Sequence, residues 1–293
     1  MKIAKINQSK ELLIKGELIE SNIDRTRLHD NGNIETFEYI EGSIAGIKNN
    51  TLLGLELIEL AQLEVLFNPA DIPNLKMWLD ANIENSIIKD INNRVSQWSD
   101  LSGNNNHAVQ SNDVNKPIFK NTAFNGKPAV RFGEVTLSQM NTGNISVGER
   151  TYVVVMEAIN PGRGSGGVVI PWHTVIIQVG MPYYQMYGNP DGTTLRFYNG
   201  SDIVLPVNIH RKALIGITTT QGQTKFYIDG QNALTSAAGN NTVLNAAFHI
   251  GAWLPGEYGL NGNIAELLIY DRVLTNEERE EVNLYLMSKW GLM

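Results

Sequence analysis

Two carboxylates in the last third of the chain, Glu266 and Asp271, come nearest to a hydrolytic pair. A retaining glycosidase needs two carboxyl groups about 5 Å apart, one as the nucleophile and one as the acid–base. Residues two or four positions apart on a β-strand point to the same face and can satisfy this distance. Glu266 and Asp271 have an odd spacing, so a regular strand directs them to opposite faces. We therefore expect no hydrolytic pair and no enzyme activity.

A second cluster has the spacing of a calcium loop. Asp100, Ser102, Asn104 and Asn106 place oxygen-bearing side chains at every second position, which is how such loops wrap one ion with hard ligands. The loop lacks a second carboxylate and a closing bidentate glutamate, so it would bind calcium weakly unless another segment contributed. The alternative is a hydrogen-bonded Asx turn between two strands.

The other residue types that bind metals or act as nucleophiles indicate no further candidate site. The sequence has no cysteine, which excludes thiolate chemistry, and its five histidines are scattered without metal-ligand spacing. His249 lies in an apolar strand pattern, where a core or interface imidazole is the usual explanation. Beyond possible calcium, the sequence indicates no cofactor.

Charge and hydropathy exclude two classes of partner. The formal net charge is −7 and the pI is near 5.3, so the chain has no basic field for nucleic acid. No apolar run approaches the roughly 20 residues of a membrane span. The amino terminus also lacks an apolar stretch followed by a small-residue cleavage site. We expect a protein that is made in the cytoplasm and does not span a membrane.

The elements that would position these residues are mostly strands. Short β-patterns recur roughly every 8 to 12 residues with Gly, Asn or Pro between them, which is typical of an all-β sandwich. Asp229-Gly230 suits the tight turn of a two-residue hairpin. Thr275 and Glu278 form a capping box, which predicts a C-terminal helix ending at Gly291. The fold class predicted is therefore all-β, with one helix at the end.

The chain divides into three predicted parts. Residues 1–67 form a small β-rich region, in which residues 51–67 fit either a leucine-rich helix or a strand pair. Residues 68–74 contain two prolines and form a linker. Residues 75–293 form the sandwich. We expect the N-terminal region to be an anchoring or assembly region.

Two groups of motifs resemble one known superfamily, the concanavalin A-like lectins with laminin G-like domains. The first group comprises residues 75–81 (LKMWLDA), 95–104 (VSQWSDLSGN) and 128–132 (PAVRF). The second follows the pattern with which these domains often end: Ile250, Gly251, Trp253, Leu260, Gly262, Ile264, Ala265, Glu266, Tyr270, Leu274, Thr275, Glu278, Arg279, Tyr285, Leu286, Lys289, Trp290, Gly291 and Leu292. The resemblance covers residues 75–293 and implies a jelly-roll β-sandwich. The Glu-x-Asp-x-(x)-Glu strand of the glucan-cleaving relatives is absent.

The resemblance implies that the protein binds sugars, through aromatic faces and polar side chains near edge loops. The aromatic residues near loops are Trp172, Tyr183, Tyr184, Tyr187, Trp253 and Tyr258. For each of them, packing under a loop is the alternative. Trp78, Trp98 and Trp290 lie in the motifs that define the fold, and we interpret them as core residues.

Glycan binders of this kind usually work outside cells, whereas this amino terminus carries no export signal. A bacteriophage virion protein resolves the conflict, because it folds in the host cytoplasm and reaches the outside when the cell lyses. The sequence-based hypothesis is a non-enzymatic capsid decoration, fibre or tail component that adheres to glycans or a host surface. Residues 1–67 would contact other virion proteins, and multivalent copies would add avidity. The alternatives are a bacterial carbohydrate-binding module of a surface or secreted protein, and a structural subunit without a ligand.

Overall fold

A computed structural model describes the chain in segments. The described residues are 4–6, 11–14, 17–22, 27–28, 36–40, 43–48, 67–133, 138–159, 174–179, 184–188, 193–199, 201–239, 243–254 and 257–293. They fall into two compact units, Met1–Asn68 and Pro69–Met293.

The first unit contains short antiparallel strands. Their bounds are β1 Ala4–Ile6, β2 Glu11–Ile14, β3 Glu17–Asn22, β4 Arg27–Leu28, β5 Thr36–Ile40 and β6 Ser43–Lys48. The first four pair in the order β1-β2-β3-β4, and β5 pairs with β6. The β-rich character expected of this region is present in its described residues. The ambiguous segment at 51–66 lies outside them.

The second unit is the sandwich. Its strands are β7 Leu75–Asp80, β8 Ile87–Lys89, β9 Val95–Trp98, β10 Ala108–Val109, β11 Ile118–Phe124, β12 Lys127–Phe132, β13 Met140–Val147, β14 Arg150–Ala158, β15 Thr174–Val179, β16 Tyr184–Gly188, β17 Leu195–Tyr198, β18 Asp202–Leu205, β19 Lys212–Thr220, β20 Gln223–Ile228, β21 Gln231–Ser236, β22 Leu244–Ile250, β23 Ala252–Leu254, β24 Glu257–Gly259 and β25 Gly262–Tyr270. The C-terminal helix α1 spans Asn276–Trp290.

Two large antiparallel sheets form this unit. The nine-stranded sheet has the order β18-β17-β16-β15-β22-β13-β10-β9-β8. The eight-stranded sheet has the order β11-β12-β25-β14-β19-β20-β21, and β7 pairs with β25 outside this path. β23 and β24 form a separate hairpin. The predicted class, an all-β jelly roll with a C-terminal helix, is confirmed.

The core lies between the two sheets. Tyr152 and Val154 on β14 alternate with residues on its other face, and the Tyr152 ring lies 6.1 Å from Phe197 and 6.4 Å from Phe248, centroid to centroid. Those two phenylalanines belong to the nine-stranded sheet and are fully buried or nearly so. Burying a side chain of this size stabilises the fold by roughly 1.5–3 kcal/mol. The inward-facing side chains of β14 therefore hold the two sheets together.

Two local predictions are confirmed in detail. Asp229 and Gly230 both have positive φ, 49° and 80°, and close the hairpin between β20 and β21. Thr275 accepts the Glu278 amide while the Glu278 carboxylate accepts the Thr275 amide, so the capping box is complete at the start of α1. Gly291 ends the helix in the left-handed conformation, with φ 63°. These residues fix where the helix starts and stops.

The predicted linker is more ordered than two prolines suggest. Residues Pro69–Asp71 form a 3-10 turn, and Ile72 is buried. The Tyr270 hydroxyl donates to the Pro69 carbonyl at 3.1 Å, which attaches this turn to β25. Residues 69–72 therefore belong to the sandwich unit.

Candidate functional site

The outer face of the eight-stranded sheet is covered by α1. All nine residues of β25 are buried, which requires cover on both faces of the strand. Val282, Leu286 and Trp290 form the buried stripe of the helix, at the four-residue spacing that its sequence predicted. This face therefore serves the stability of the domain.

The outer face of the nine-stranded sheet is different. The pairing register aligns one residue from each strand in a single row across it: Ile88, Gln97, Val109, Asn141, His249, Gln178, Gln185, Tyr198 and Asp202. Residues that pair directly across antiparallel strands lie on the same face. Their chain neighbours Phe197, Phe248 and Ile250 point into the core, so this row lies on the outside. Below we call it the polar row.

The chemistry of the row changes along its length. Ile88 and Val109, near one end, are 51% and 44% exposed. From Asn141 to Asp202 the row carries amides, an imidazole, a phenol and a carboxylate. With strands about 4.8 Å apart, this second part extends for about 24 Å. The side chains that the structure describes lie at its two ends, Asn141 and His249 at one and Tyr198 and Asp202 at the other.

A hydrogen-bonded cluster stands at the far end. The Tyr187 hydroxyl donates to one oxygen of Asp202 at 2.8 Å, and the Arg196 guanidinium pairs with the other oxygen. Burial, reinforced by the bond to Asp202, raises the pKa of Tyr187 to about 12, so its phenol keeps its proton at neutral pH. Tyr187 as a whole is only 6% exposed. Its hydroxyl holds Asp202, and its expected role in sugar binding stays a prediction.

His249 occupies the middle of the row. Its Nδ1 lies 2.7 Å from both Asn141 Oδ1 and Gln139 Nε2. Burial lowers the pKa of this imidazole, so the neutral form dominates at neutral pH. The sequence suggested a core or interface histidine. The structure places it half-buried on the outer face, where it adds a polar but uncharged group.

The possible calcium loop is closed by its own hydrogen bonds. Asp100 Oδ1 accepts from the amides of Trp78 and Ser102, both at 2.9 Å, and Oδ2 accepts from the Ser102 hydroxyl at 2.8 Å and the Asn106 amide at 2.9 Å. The Asn104 side-chain amide donates to the Leu75 carbonyl at 2.7 Å. This geometry favours the Asx-turn alternative, because an ion would have to displace donors from both Asp100 oxygens. No cluster of three metal-binding side chains occurs among the described residues.

Five of the six aromatic residues expected at a sugar site have side chains that the structure does not describe. Trp172 and Tyr183 lie outside the described residues. Tyr184, Trp253 and Tyr258 lie in β16, β23 and β24, where the structure describes the strand and not the side chain. Their role stays a prediction.

The two carboxylates considered for hydrolysis lie in different surroundings. Glu266 is fully buried under α1, whereas the Asp271 carboxylate accepts from the Gly148 amide at 2.5 Å near the surface. Glu266 instead pairs across the strands with Asp80, and Lys289 contacts both carboxylates. The sequence search missed this cluster because its members are up to 209 residues apart.

The polar row was also missed, because its order depends on strand pairing. Its signal in the sequence is weak: Leu195-Arg-Phe-Tyr198 alternates apolar and polar residues, which marks Tyr198 as outward-facing and says nothing about its neighbours.

The strands form a jelly-roll sandwich, and comparison with known families agrees with this fold. The model of the concanavalin A-like lectin/glucanases superfamily matches residues 173–278, which confirms the resemblance over that stretch. Comparison with curated proteins finds no match.

Two solved toxin domains support the fold at low sequence identity, and a third structure is reported only as similar. The binding domain of botulinum neurotoxin serotype G is 13% identical with a TM-score of 0.51, over 74% of this chain and 54% of that one. The binding domain of botulinum neurotoxin DC is 14% identical with a TM-score of 0.50, over 74% and 52%. The chain thus spans about half the length of these domains. Domain 4 of an extracellular arabinanase from Geobacillus stearothermophilus is 15% identical over 72% of this chain and 98% of that one, with a TM-score of 0.46.

The described residues include no helix of the length and hydropathy needed to cross a membrane.

Proposed function

We propose that the sandwich unit is a non-enzymatic glycan-binding domain, and that it binds sugars along the polar row. The observation that carries this proposal is the alignment of Asn141, His249, Tyr198 and Asp202 in one register across the nine-stranded sheet. Amide, imidazole, phenol and carboxylate groups match the alternating donors and acceptors of sugar hydroxyls. Because the face is about 24 Å long, it suits a chain of several linked sugars.

Tyr198 is the residue that we expect to stack on a sugar ring. It is partly exposed on the outer face and pairs across the strands with Asp202. Asp202 is held by Tyr187 and Arg196, so one carboxylate is oriented before a ligand arrives. Such preorganisation reduces the entropy cost of binding.

The test is a glycan array probed with the full chain, with and without calcium. We expect binding to linear glycans that Tyr198→Ala and Asp202→Asn weaken. Leu284→Ala, at an exposed position of α1, is the matched control and should leave binding unchanged. Binding that survives both row variants would place the site elsewhere, and the rim aromatics Trp172, Tyr183, Tyr184, Trp253 and Tyr258 would be the next to substitute. Calcium dependence would favour the loop at Asp100.

The absence of turnover is part of the proposal. Glu266, the carboxylate nearest to a catalytic role, is 0% exposed beneath α1, so a polysaccharide has no path to it. Incubation of the full chain with a polysaccharide panel should release no reducing sugar. Release that Glu266→Gln abolishes would contradict a purely binding role.

The biological setting that we propose is a bacteriophage virion, as a capsid decoration, fibre or tail component. The division of the chain into two compact units is consistent with an assembly unit at residues 1–68 and a binding unit beyond it. Stoichiometric presence in purified particles tests this setting. Presence only on a bacterial surface or in culture medium would support the alternative, a carbohydrate-binding module of a bacterial protein.

A further inference from the structure

A lysine and two carboxylates meet beneath the C-terminal helix. Asp80 on β7 and Glu266 on β25 are a directly paired cross-strand couple on the outer face of the eight-stranded sheet. Lys289, in the last turn of α1, lies with its Nζ 2.5 Å from Asp80 Oδ2 and 2.7 Å from Glu266 Oε2. One amine is thus in contact with two carboxyl groups.

The surroundings of this cluster are dry and aromatic. The side chains of Asp80, Glu266 and Lys289 are 1%, 0% and 12% exposed. The indole N–H groups of Trp78 and Trp290 donate to Glu266 at 2.8 and 2.7 Å. Water, which would solvate the charges and hydrolyse reactive intermediates, is largely kept out.

Burial favours the neutral forms of an amine and a carboxylic acid over the ion pair. Burial, followed by repulsion from Asp80, raises the pKa of Glu266 to about 7. The Glu266 carboxyl can therefore both take up and release a proton near neutral pH, as a proton carrier must. Amide formation requires the lysine as the neutral amine, which is nucleophilic, and an acid group in contact with it.

We propose that Lys289 and Asp80 become joined by an intramolecular isopeptide bond, with Glu266 as the proton carrier. The Nζ lone pair attacks Cγ of protonated Asp80 and forms the C–N bond. Glu266 takes a proton from Nζ and delivers it to the leaving oxygen, the C–O bond breaks, and one water departs. The amide is neutral and Glu266 returns to its starting state, so no oxidant or other reactant is needed.

The geometry suits this reaction in two ways. Since a C–O bond is about 1.25 Å long, the 2.5 Å contact to Oδ2 places Cγ within about 3.8 Å of Nζ, close to the separation of reacting groups that are positioned for attack. The amide of Asn82 donates to the other oxygen, Oδ1, at 2.8 Å, where negative charge develops in the tetrahedral intermediate.

The carboxyl group of Asp80 is better placed than that of Glu266 to be attacked by the amine. Glu266 accepts from two indoles, from the Tyr285 hydroxyl at 3.3 Å and from Lys289, so its oxygens are held as proton acceptors. Tyr285 also accepts from Lys289 Nζ at 2.8 Å and links the amine to Glu266 by a second route.

The bond would join residues that are 209 positions apart and fasten the helix to the first strand of the sandwich. It would close almost the whole unit into one covalent ring, which limits the freedom of the unfolded chain. Such a ring adds to the proposed adhesive function and does not depend on it.

The experiment is intact-mass spectrometry of the full chain, followed by peptide mapping. The expected mass is below that of the linear sequence by one water, about 18 Da, with a branched peptide that joins Lys289 to Asp80. Lys289→Arg keeps the positive charge but should have the full mass, and Glu266→Gln should have the full mass or lose water slowly.

Several outcomes would overturn the proposal. A wild-type chain at the full mass after prolonged incubation would leave Lys289 as a noncovalent ion-pair partner. Water loss that persists in Lys289→Arg would come from another site, such as the Asp229-Gly230 turn. A branch from Lys289 to Glu266 would reverse the roles assigned to the two carboxyls. The wild-type measurement requires no variant, so a variant that fails to fold does not decide the result.

Discussion

The two outer faces of the sandwich are used in opposite ways. On the eight-stranded sheet, α1 buries an apolar stripe and a lysine between two carboxylates. On the nine-stranded sheet, the polar row leaves Asn141, His249 and Tyr198 half-buried and Asp202 on an edge strand. The covered face holds its charged groups in pairs. The other face holds groups that are suited to hydrogen bonds with a partner.

This difference is the basis of the proposal that one face stabilises the domain and the other binds a ligand. Groups that are buried and fully paired contribute to folding because removing one partner leaves another without its hydrogen bonds. Groups that are partly exposed lose less stability when changed, since water can replace the lost contacts. Variants on the two faces should therefore separate folding from binding.

The largest effect is expected from Glu266→Ala. This change leaves Lys289 and the indole N–H groups of Trp78 and Trp290 without their common acceptor. Removing one member of a buried charge cluster costs about 3–5 kcal/mol. Denaturant unfolding should show the loss, and Glu281→Ala on the exposed side of α1 should stay within about 0.5 kcal/mol of wild type. A loss below about 1 kcal/mol for Glu266→Ala would mean that the cluster is not what holds the helix to the sheet.

The same cluster should make the free energy of unfolding depend on pH. Burial raises the pKa of Glu266 from its ordinary 4.5 to about 7, so the folded state takes up a proton in this window and the unfolded state does not. The contribution of Glu266 to stability is therefore greatest below about pH 4.5 and falls as the pH rises to about 7. The change with pH in the difference between the unfolding free energies of wild type and Glu266→Gln reports this contribution, because a difference that does not vary with pH, such as a missing covalent bond, does not affect that change. A difference that grows in the opposite direction would mean that Lys289 keeps Glu266 ionised throughout.

The third prediction concerns the polar row. Tyr198→Ala should lower the affinity for a glycan found on the array by about tenfold, equivalent to about 1.4 kcal/mol. Its unfolding free energy should change much less than that of Glu266→Ala, since the ring is only partly buried. Titration calorimetry measures the first quantity and denaturant unfolding the second. If Tyr198→Ala lowered the free energy of unfolding as much as Glu266→Ala does, the proposed separation of binding and stability between the two faces would be wrong.

The sequence predicted the elements better than the sites, and particular residues explain why. Thr275 with Glu278, and Asp229 with Gly230, act within a few residues of each other, so their roles can be derived from local spacing. Glu266 was noticed as part of a motif, but the nearest acid in the sequence, Asp271, is not its partner. Strand pairing brings in Asp80 from the other end of the domain.

The binding face could be predicted only in part. The resemblance implied sugar binding and directed attention to loop aromatics. The polar row instead depends on the register of nine strands, which sequence spacing does not encode over long separations. Tyr187 illustrates this limit: spacing predicted only a loop aromatic, whereas the structure shows a buried side chain whose hydroxyl donates to Asp202.

The smallest predicted effect is at the start of α1. It tests whether the helix that covers the eight-stranded sheet depends on its Thr275 cap. Thr275→Ala removes the hydroxyl that accepts the Glu278 amide and should cost about 1 kcal/mol. Thr275→Ser keeps the hydroxyl and should recover most of this loss. Neither change touches the polar row, so glycan affinity should stay at the wild-type value in both. A fall in affinity that follows the loss of the cap would show that the helix-covered face and the binding face are coupled through the sandwich.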